Sequence, residues 1–323
     1  MADGAEVRIV VALGGNALLR RGERPDASPQ LAHIEAAAAA LAPVARDHEL
    51  LVCHGNGPQV GLLALESEAD RTLTRAYPLD ALVAQTQGMI GYWLTQALTN
   101  AGVDRPVLAL VTQVLVDAAD PAFSAPTKFI GPVYDRARAD RLAGEHGWTV
   151  APDGQRWRRV VPSPLPVRII EQDTVERLLD SGAVVVCGGG GGAPVAADAA
   201  GRLRGVEAVV DKDLTAALLA VALHADHLLV LTDVPAVVDH FGTPSATPLR
   251  TLELDRLADF DFPAGSMGPK VDACARFVRA TGRPATIGAL ADVAGLLAAT
   301  AGTTVRPAPA DRVDAEGTPV AQP

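Results

Sequence analysis

The three lysines of this chain are the side chains best suited to chemistry on an anionic ligand. Only Lys128, Lys212 and Lys270 are lysine among 28 lysines and arginines, although lysine is ordinarily one of the commonest residues. Each stands beside turn residues, where a compact ammonium differs in shape from a planar guanidinium. We therefore predict that these lysines contact a ligand that arginine would not fit. The alternative is that three ordinary surface lysines remain by chance.

Three glycine turns are suited to the same kind of ligand. Gly14–Gly15 follows the apolar run EVRIVVAL, Gly55–Gly57 follows ELLVCH, and Gly188–Gly192 follows VVVC. In a parallel sheet such turns lie at the carboxyl edge, where ligands bind. Exposed amides in a glycine turn, placed ahead of a helix N-terminus, suit anionic groups. Three such turns predict a polyanionic ligand, most simply a phosphate.

Polar residues beside these turns allow two interpretations. Asn16 and Asn56 are two of only three asparagines, and they suit either stabilisation of the turns or contact with the ligand. His54 ends an apolar run, so a polar core contact explains it at least as well as catalysis. The asparagines favour ligand contact because they occur together with glycines at strand ends.

Two carboxylates flank Lys212. Asp211 and Asp213 are either solvated charges at a helix start, with Asp213 as a first-turn or capping acid, or acids that orient the lysine. No lysine follows a glycine, so the sequence lacks a Walker A motif. Gly55, Gly57 and Gly61 match a dinucleotide fingerprint only loosely.

Alternating strands and helices must position these residues. This order favours a mostly parallel sheet covered on both faces. The patterns predict strands at Arg8–Leu13, Leu50–Cys53, Pro106–Val116, Ala183–Cys187 and His227–Leu231, and helices within Gln30–His48, from about Pro58 to Asp70, over Leu79–Ala101 and Thr174–Asp180, and from about Leu214 and Pro269.

Two segments depart from this alternation. Asp117–Pro166 is rich in proline and turn residues, lacks a long core element, and carries aromatic and charged side chains. We interpret it as an inserted lid or subdomain that moves during turnover. Residues 306–323 are polar and rich in proline, which predicts a disordered tail.

The composition indicates a protein with a large core and an acidic surface. The 323 residues are 49% hydrophobic, and the formal charge of −10 argues against binding to nucleic acid. No apolar run is long enough to cross a bilayer, and MADGAEVR lacks a signal-peptide pattern. The three cysteines show neither disulfide nor zinc spacing. We expect a soluble cytoplasmic protein with no membrane partner.

Taken as a set, the motifs resemble the carbamate kinases, a family within the amino acid kinase superfamily. They occur in the family's order and cover most of the chain from Ile9 to Val305. The matching segments are VVALGGNAL (10–18), HGNGPQVG (54–61), TQGMIGYWL (86–94), PTKFIGP (126–132), RRVVPSP (158–164), CGGGGGAPV (187–195), GVEAVVDKDLTA (205–216), LTDV (231–234) and GSMGPK (265–270).

This resemblance implies an α/β fold and a reaction. The fold would be a three-layer αβα sandwich, residues 1–305, with an eight-stranded, mostly parallel central sheet. A carbamate-side lobe (about 1–205) would carry the lid insertion (about 117–166), and a nucleotide-side lobe (about 206–305) would follow. The enzyme would be a homodimer that transfers a phosphoryl group between ATP and carbamate. Mg²⁺ would enter with ATP or ADP rather than in a protein cage.

The resemblance also implies roles for particular residues. Asp211 would orient the lysines, Lys128 would reach in from the lid, and Lys212 and Lys270 would bridge phosphates. The phosphoryl group would contact Gly14, Gly15 and Asn16. The carbamate side would be bordered by Gly55, Asn56, Gly57, Gly188, Gly189, Gly190 and Gly191, and the nucleotide pocket by Thr232, Asp233, Val234, Val238, Met267 and Gly268.

Two positions depart from the family pattern. Val238 stands where the family usually has a tyrosine, and Gly154-Gln155-Arg156-Trp157 replaces the usual Gly-Arg-Gly. Three other functions stay open from the sequence. They are a kinase for another small carboxylate or phosphonate, a nucleotide-binding sensor without catalysis, and a dinucleotide oxidoreductase, which lacks its expected acidic residue.

Overall fold

The structure alternates strands and helices along most of the chain. This computed structural model describes residues 6–15, 18–20, 22–262 and 266–308. The helices in those ranges are α1 (Ala27–Asp47), α2 (Gly57–Ala69), α3 (Leu79–Asn100), α4 (Arg136–His146), α5 (Gln172–Asp180), α6 (Lys212–Ala222), α7 (Gly268–Thr281) and α8 (Val293–Leu297). The strands are β1 (Arg8–Leu13), β2 (Glu49–His54), β3 (Val107–Ala109), β4 (Gln113–Val116), β5 (Lys128–Tyr134), β6 (Thr149–Asp153), β7 (Arg156–Val161), β8 (Pro166–Ile169), β9 (Val184–Val186), β10 (Ala193–Ala197), β11 (Leu203–Gly205), β12 (His227–Thr232), β13 (Val237–Asp239), β14 (Thr247–Leu249), β15 (Thr251–Glu253), β16 (Ala285–Ala289) and β17 (Thr303–Arg306).

An eight-stranded sheet forms the centre of the described structure. Its strand order is β15-β17-β16-β12-β1-β2-β9-β3. All neighbours are parallel except β16 and β17, which are antiparallel. This arrangement confirms the predicted fold class. It also places the ends of β12, β1, β2 and β9 side by side, so the segments that follow these strands meet at one edge.

Helices cover both faces of the sheet. Successive residues of a strand point to opposite faces, and β1 is buried on both. Val10 and Ala12 belong to a core shared with α5, α6 and α7. Ile9, Val11 and Leu13 belong to a second core shared with α1 and α3. The continuous apolar run of β1 is therefore what a central parallel strand requires. No helix within the described ranges is both long and apolar enough to span a membrane.

The predicted buried strand over Pro106–Val116 is wrong. The run divides into β3, at the edge of the main sheet, and β4, in a separate four-stranded sheet ordered β11-β10-β4-β8. Leu108 and Ala109 are exposed. Hydrophobicity alone could not reveal the break, because two short, partly covered strands give the same run of apolar residues as one buried strand.

The insertion over Asp117–Pro166 contains more regular structure than its sequence suggested. It holds a three-stranded antiparallel sheet, ordered β5-β7-β6, together with α4. A small core around Tyr134, Ala139 and Trp148 stabilises it. The insertion packs on α2 so closely that a Cβ atom on Gly61 would lie 2.0 Å from the Cα of Gly131. The proposed lid is therefore a subdomain with one face tightly docked.

Two predictions about chain division are not tested by the fold. The lobe boundary near residues 205 and 206 stays a prediction. Of the predicted tail, Arg306 still belongs to β17, and residues 309–323 lie outside the described ranges.

Candidate active site

The three glycine turns meet at the carboxyl edge of the sheet, as predicted. Backbone hydrogen bonds continue from strand to turn: the Gly14 amide donates to Leu231 O at 3.0 Å, and the Gly55 amide donates to Leu13 O at 3.0 Å. The turns touch, because a Cβ atom on Gly55 would lie 2.8 Å from the Gly15 nitrogen. Asn16, predicted to share this site, lies outside the described residues.

Close packing explains why the Gly188–Gly192 turn consists of glycines. Gly188, Gly190, Gly191 and Gly192 have φ between +63° and +90°, a conformation that favours glycine. At Gly189, whose φ is ordinary, a Cβ atom would lie 2.3 Å from His54 Nε2. The sequence predicts that these glycines give a ligand access to the backbone; the structure adds positive φ and close contact with neighbouring side chains as further reasons for glycine.

Both asparagine and histidine neighbours of the turn are buried. The side chain of Asn56 lies against the turn, since a Cβ atom on Gly190 would lie 2.1 Å from Asn56 Nδ2. The same Nδ2 donates to Thr86 Oγ1 at 2.8 Å. His54 lies under Gly189, with Nδ1 3.0 Å from the Gly55 carbonyl oxygen. Burial lowers the pKa of His54 to about 4, and the nearby charge of Lys212 acts in the same direction. His54 is therefore neutral near pH 7.

All three lysines meet at the start of α6, where they pair with two aspartates. Lys212 Nζ donates to Asp213 Oδ1 at 2.6 Å, and Lys270 Nζ donates to Asp213 Oδ2 at 3.0 Å. Lys128 reaches from the insertion and donates to Asp211 Oδ2. The cluster brings together residues from β5, α6 and α7, which are far apart in sequence.

Asp211 and Asp213 make different contacts from those predicted. Asp211 is the N-cap of α6, because its Oδ1 accepts from the Asp213 amide at 2.9 Å. Its side chain contacts Lys128 alone among the lysines. Asp213, interpreted from sequence as a possible capping acid, instead holds Lys212 and Lys270. The role that the resemblance implied for Asp211 therefore matches one contact of three. The other two belong to Asp213, which the sequence offers as one of two acids that could orient Lys212.

Burial and charge act against each other in this cluster. Burial alone would raise the pKa of Asp213, but the charges of Lys212 and Lys270 outweigh it and lower that pKa. Burial lowers the pKa of Lys212 despite its pairing with Asp213. For Lys270, attraction to Asp213 and Asp211 exceeds the burial effect and raises the pKa. The cluster is thus an array of three ammonium groups and two carboxylates, most of them desolvated by burial.

Several of the predicted nucleotide residues lie near Lys270. Thr232 ends β12, and its hydroxyl donates to Asp233 Oδ1 at 3.1 Å. Asp233 is near enough to Lys270 to contribute to its raised pKa. Met267 immediately precedes α7, which begins at Gly268. The Met267 carbonyl oxygen accepts from the Lys270 amide at 3.0 Å.

Val238 lies farther along the chain, on the hairpin of β13 and β14. It pairs with Pro248 in that hairpin. The structure records its backbone pairing but no contact with the lysine cluster, and its predicted part in binding adenine stays a prediction. Val234 similarly follows Asp233 in the loop after β12.

Two buried histidines predict that the protein loses stability in mild acid. His54 and His227 both have a pKa of about 4, which burial lowers from an ordinary value near 6.5. The unfolded chain therefore takes up protons first, and the free energy of unfolding falls as pH falls from about 6.5 to 4. The full loss is about 3 kcal/mol for each histidine. Denaturant unfolding at several pH values measures it.

A variant outside the site separates the two histidines. His227→Gln should remove about half of this pH dependence, because the two histidines have similar pKa values. It should leave the site intact, because His227 Nε2 contacts Thr286 Oγ1 rather than the glycine turns. An unfolding free energy that stays constant from pH 6.5 to 4.5 in the parent protein would contradict the prediction.

Comparisons with known proteins agree with this fold. Residues 7–289 match the model of the amino acid kinase family. Carbamate kinase from Rhizobium meliloti is 50% identical over 302 residues, which cover 93% of each chain. Carbamate kinase from Escherichia coli K12 is 49% identical, over 92% of this chain and 98% of its own. Carbamate kinase from Giardia lamblia bound to AMP-PNP has a TM-score of 0.84 and 36% identity, covering 94% of this chain and all of that one.

The family match and these relatives show that the protein is a phosphotransferase, and its cluster of cations and glycine turns fits that class. The chain belongs to the amino acid kinase family. Three curated relatives that it matches over 93%, 96% and 98% of their own length are carbamate kinases, as the resemblance of the motifs predicted.

Proposed function

We propose that the protein is a carbamate kinase that transfers a phosphoryl group reversibly between ATP and carbamate. The observation that carries this proposal is the cluster of Lys128, Lys212 and Lys270 beside the glycine turns. The similarity to carbamate kinases over nearly the whole chain supports the choice of acceptor. A nucleotide-binding sensor without catalysis would not need three buried or half-buried lysines at one edge.

The reaction needs charge stabilisation more than proton transfer. A carbamate oxygen is already anionic, so it forms a bond to the γ-phosphorus while the bond from that phosphorus to the β,γ-bridging oxygen breaks. No proton has to leave the acceptor, so the reaction needs no general base, and buried His54, whose pKa is lowered to about 4, would be a weak one. The protein's contribution is to hold the reactants in line and to neutralise charge on the transferring group.

The site residues divide between acceptor and nucleotide. Gly14, Gly15 and Asn16 would hold the transferring phosphoryl group. Gly55–Gly57 and Gly188–Gly191 would border carbamate. Lys212 and Lys270 would bridge the phosphates, and Lys128 would contact them from the insertion. The nucleotide would lie against Thr232–Val234, Val238 and Met267–Gly268.

Magnesium would enter with the nucleotide. Asp211 and Asp213 already accept hydrogen bonds from lysines, so they are poorly placed to act as a dedicated metal cage. Mg²⁺ usually keeps several waters and binds through substrate phosphates together with at most one or two carboxylates. When bound, it would neutralise charge on the phosphate oxygens.

The edge of the main sheet supports a homodimer. Strand β3 has one unpaired edge, and Leu108 and Val111 are exposed there. Tyr92, on the adjoining helix α3, is 58% exposed. Such an uncovered strand with apolar neighbours suits pairing with a second copy. We further propose a cytoplasmic enzyme that forms ATP at the end of a catabolic pathway, such as arginine or purine-ring degradation.

The proposed activity has a direct test. Purified protein with ADP, carbamoyl phosphate and Mg²⁺ should form ATP, measured by a coupled luminescent assay against an enzyme-free control. Acetyl phosphate in place of carbamoyl phosphate tests a kinase for another small carboxylate. Folded protein that forms ATP only from the other acyl phosphate, or from neither, would contradict the proposal.

A further inference from the structure

Two buried threonine hydroxyls hold the Gly188–Gly191 turn at its ends. The Gly188 amide donates to Thr112 Oγ1 at 2.9 Å. Thr215 Oγ1 donates to the Gly191 carbonyl oxygen at 2.9 Å. Both threonines are 0% exposed. One hydroxyl thus acts as acceptor at the start of the turn and the other as donor at its end.

Gln87 fixes the orientation of the first hydroxyl. Its Oε1 accepts from the Thr112 amide at 3.0 Å and from Thr112 Oγ1 at 3.2 Å, and its Nε2 donates to the Thr112 carbonyl oxygen at 3.1 Å. The Thr112 hydroxyl therefore gives its proton to Gln87 and keeps a lone pair for the Gly188 amide. A buried residue with three such bonds has little freedom to move.

Thr215 links the turn to the lysine cluster. It lies on α6 three residues after Lys212, and its backbone amide donates to the Asp211 carbonyl oxygen at 3.0 Å. Its hydroxyl therefore ties Gly191 to the same helical turn that carries Lys212. This side chain thus links the backbone of the glycine turn to the helix that carries Lys212.

We propose that Thr112 and Thr215 are positioning residues that set the glycine turn at a fixed distance from the lysine cluster. This inference rests on the proposed function, in which the turn borders carbamate and Lys212 contacts the phosphoryl group. The two reactants are then held by parts of the protein whose relative position the threonines determine. Small displacements of reacting groups cost rate steeply, with about a hundredfold loss for 1 Å.

Matched substitutions separate positioning from folding. Thr112→Val and Thr215→Val keep the shape and remove the hydroxyl, whereas Thr112→Ser and Thr215→Ser keep the hydroxyl. Thr286→Val is the control, because Thr286 is equally buried but its hydroxyl contacts His227, which begins β12, whereas the site lies at the other end of that strand. Each variant is assayed for ATP formation from ADP and carbamoyl phosphate and for thermal melting.

We expect both valine variants to lower kcat/KM for carbamoyl phosphate by about ten- to a hundredfold. The KM for ADP should stay within about twofold of the parent, because the proposed nucleotide residues lie at the end of β12 and the start of α7 rather than in the glycine turn. The serine variants should recover most of the activity. Thr286→Val should lower the melting temperature with unchanged kinetic constants. Valine variants that melt earlier but keep parental kinetic constants would overturn the proposal.

Hydrogen exchange gives a readout that does not depend on turnover. Amides in the peptide 184–195 should exchange faster in the Thr112→Val and Thr215→Val proteins than in the parent or in Thr286→Val. Unchanged exchange there would overturn the positioning role even in an active enzyme. If the parent forms no ATP, the proposed function fails, and faster exchange in the valine variants would still support the role of the threonines in setting the turn.

Discussion

Replacing Lys212 with arginine should lower turnover by about a hundredfold or more, the typical effect of losing one preorganised contact to the transition state. Lys212 is 8% exposed, and its Nζ already donates to Asp213 at 2.6 Å. Its stem passes beside the glycine turns, because a Cβ atom on Gly55 would lie 3.4 Å from Lys212 Cδ. A guanidinium keeps the charge but needs more space and a planar set of partners. It would therefore displace either Asp213 or the phosphoryl group.

The other two lysines and an exposed arginine complete this experiment. Lys128→Arg and Lys270→Arg should also lower turnover. The loss should be smaller at Lys128, whose side chain is 30% exposed and has more room for a guanidinium. Arg276→Lys is the control, since Arg276 forms an exposed pair with Asp272 on the helix that carries Lys270. Because Lys212 is buried, Lys212→Arg should also lower the melting temperature. Near-normal turnover in all three lysine variants would show that the scarcity of lysine is an accident of composition.

The fold was predictable because its strongest signals are local. β1, β2, β9 and β12 are short apolar runs followed by glycine or polar residues, and parallel strands bring such ends to one edge. The meeting of the glycine turns followed from that rule without knowledge of any contact. The division of Pro106–Val116 into two strands did not, because a change of sheet leaves no mark on hydrophobic pattern.

Details of the site depended on contacts between distant residues. Lys128 and Asp211 lie 83 positions apart, and Gln87 and Thr112 lie 25 apart. Asp211 and Asp213 stand two residues apart at a helix start, where either one could be the cap. Only the packing of α6 against α7 decides that Asp213 faces Lys270. The sequence could select the charged residues but not pair them.

Replacing Asp213 with asparagine should have the second large effect, on both stability and turnover. Asp213 is 2% exposed and accepts from two ammonium groups. Asparagine has nearly the same shape but carries no charge, and its NH₂ group is a donor where Asp213 has an oxygen that accepts from a lysine. Removing one partner of a buried ion pair typically costs about 3–5 kcal/mol, because the remaining charge stays desolvated. Denaturant unfolding in the absence of nucleotide should show a loss of this size.

Two further measurements show whether Asp213 is more than a structural partner of the lysines. If Lys212 and Lys270 bridge the phosphates, ADP should raise the melting temperature of Asp213→Asn more than that of the parent, because phosphate oxygens supply the missing negative charge. Turnover should still fall by about a hundredfold, since displaced lysines no longer meet the phosphoryl group in line. Asp211→Asn is the comparison: asparagine keeps the helix cap, and only the partly exposed Lys128 loses its pair, so stability should change less. If Asp213→Asn has the same free energy of unfolding and the same turnover as the parent, the buried carboxylate neither stabilises nor positions the two lysines. Their geometry must then be set by the helices alone.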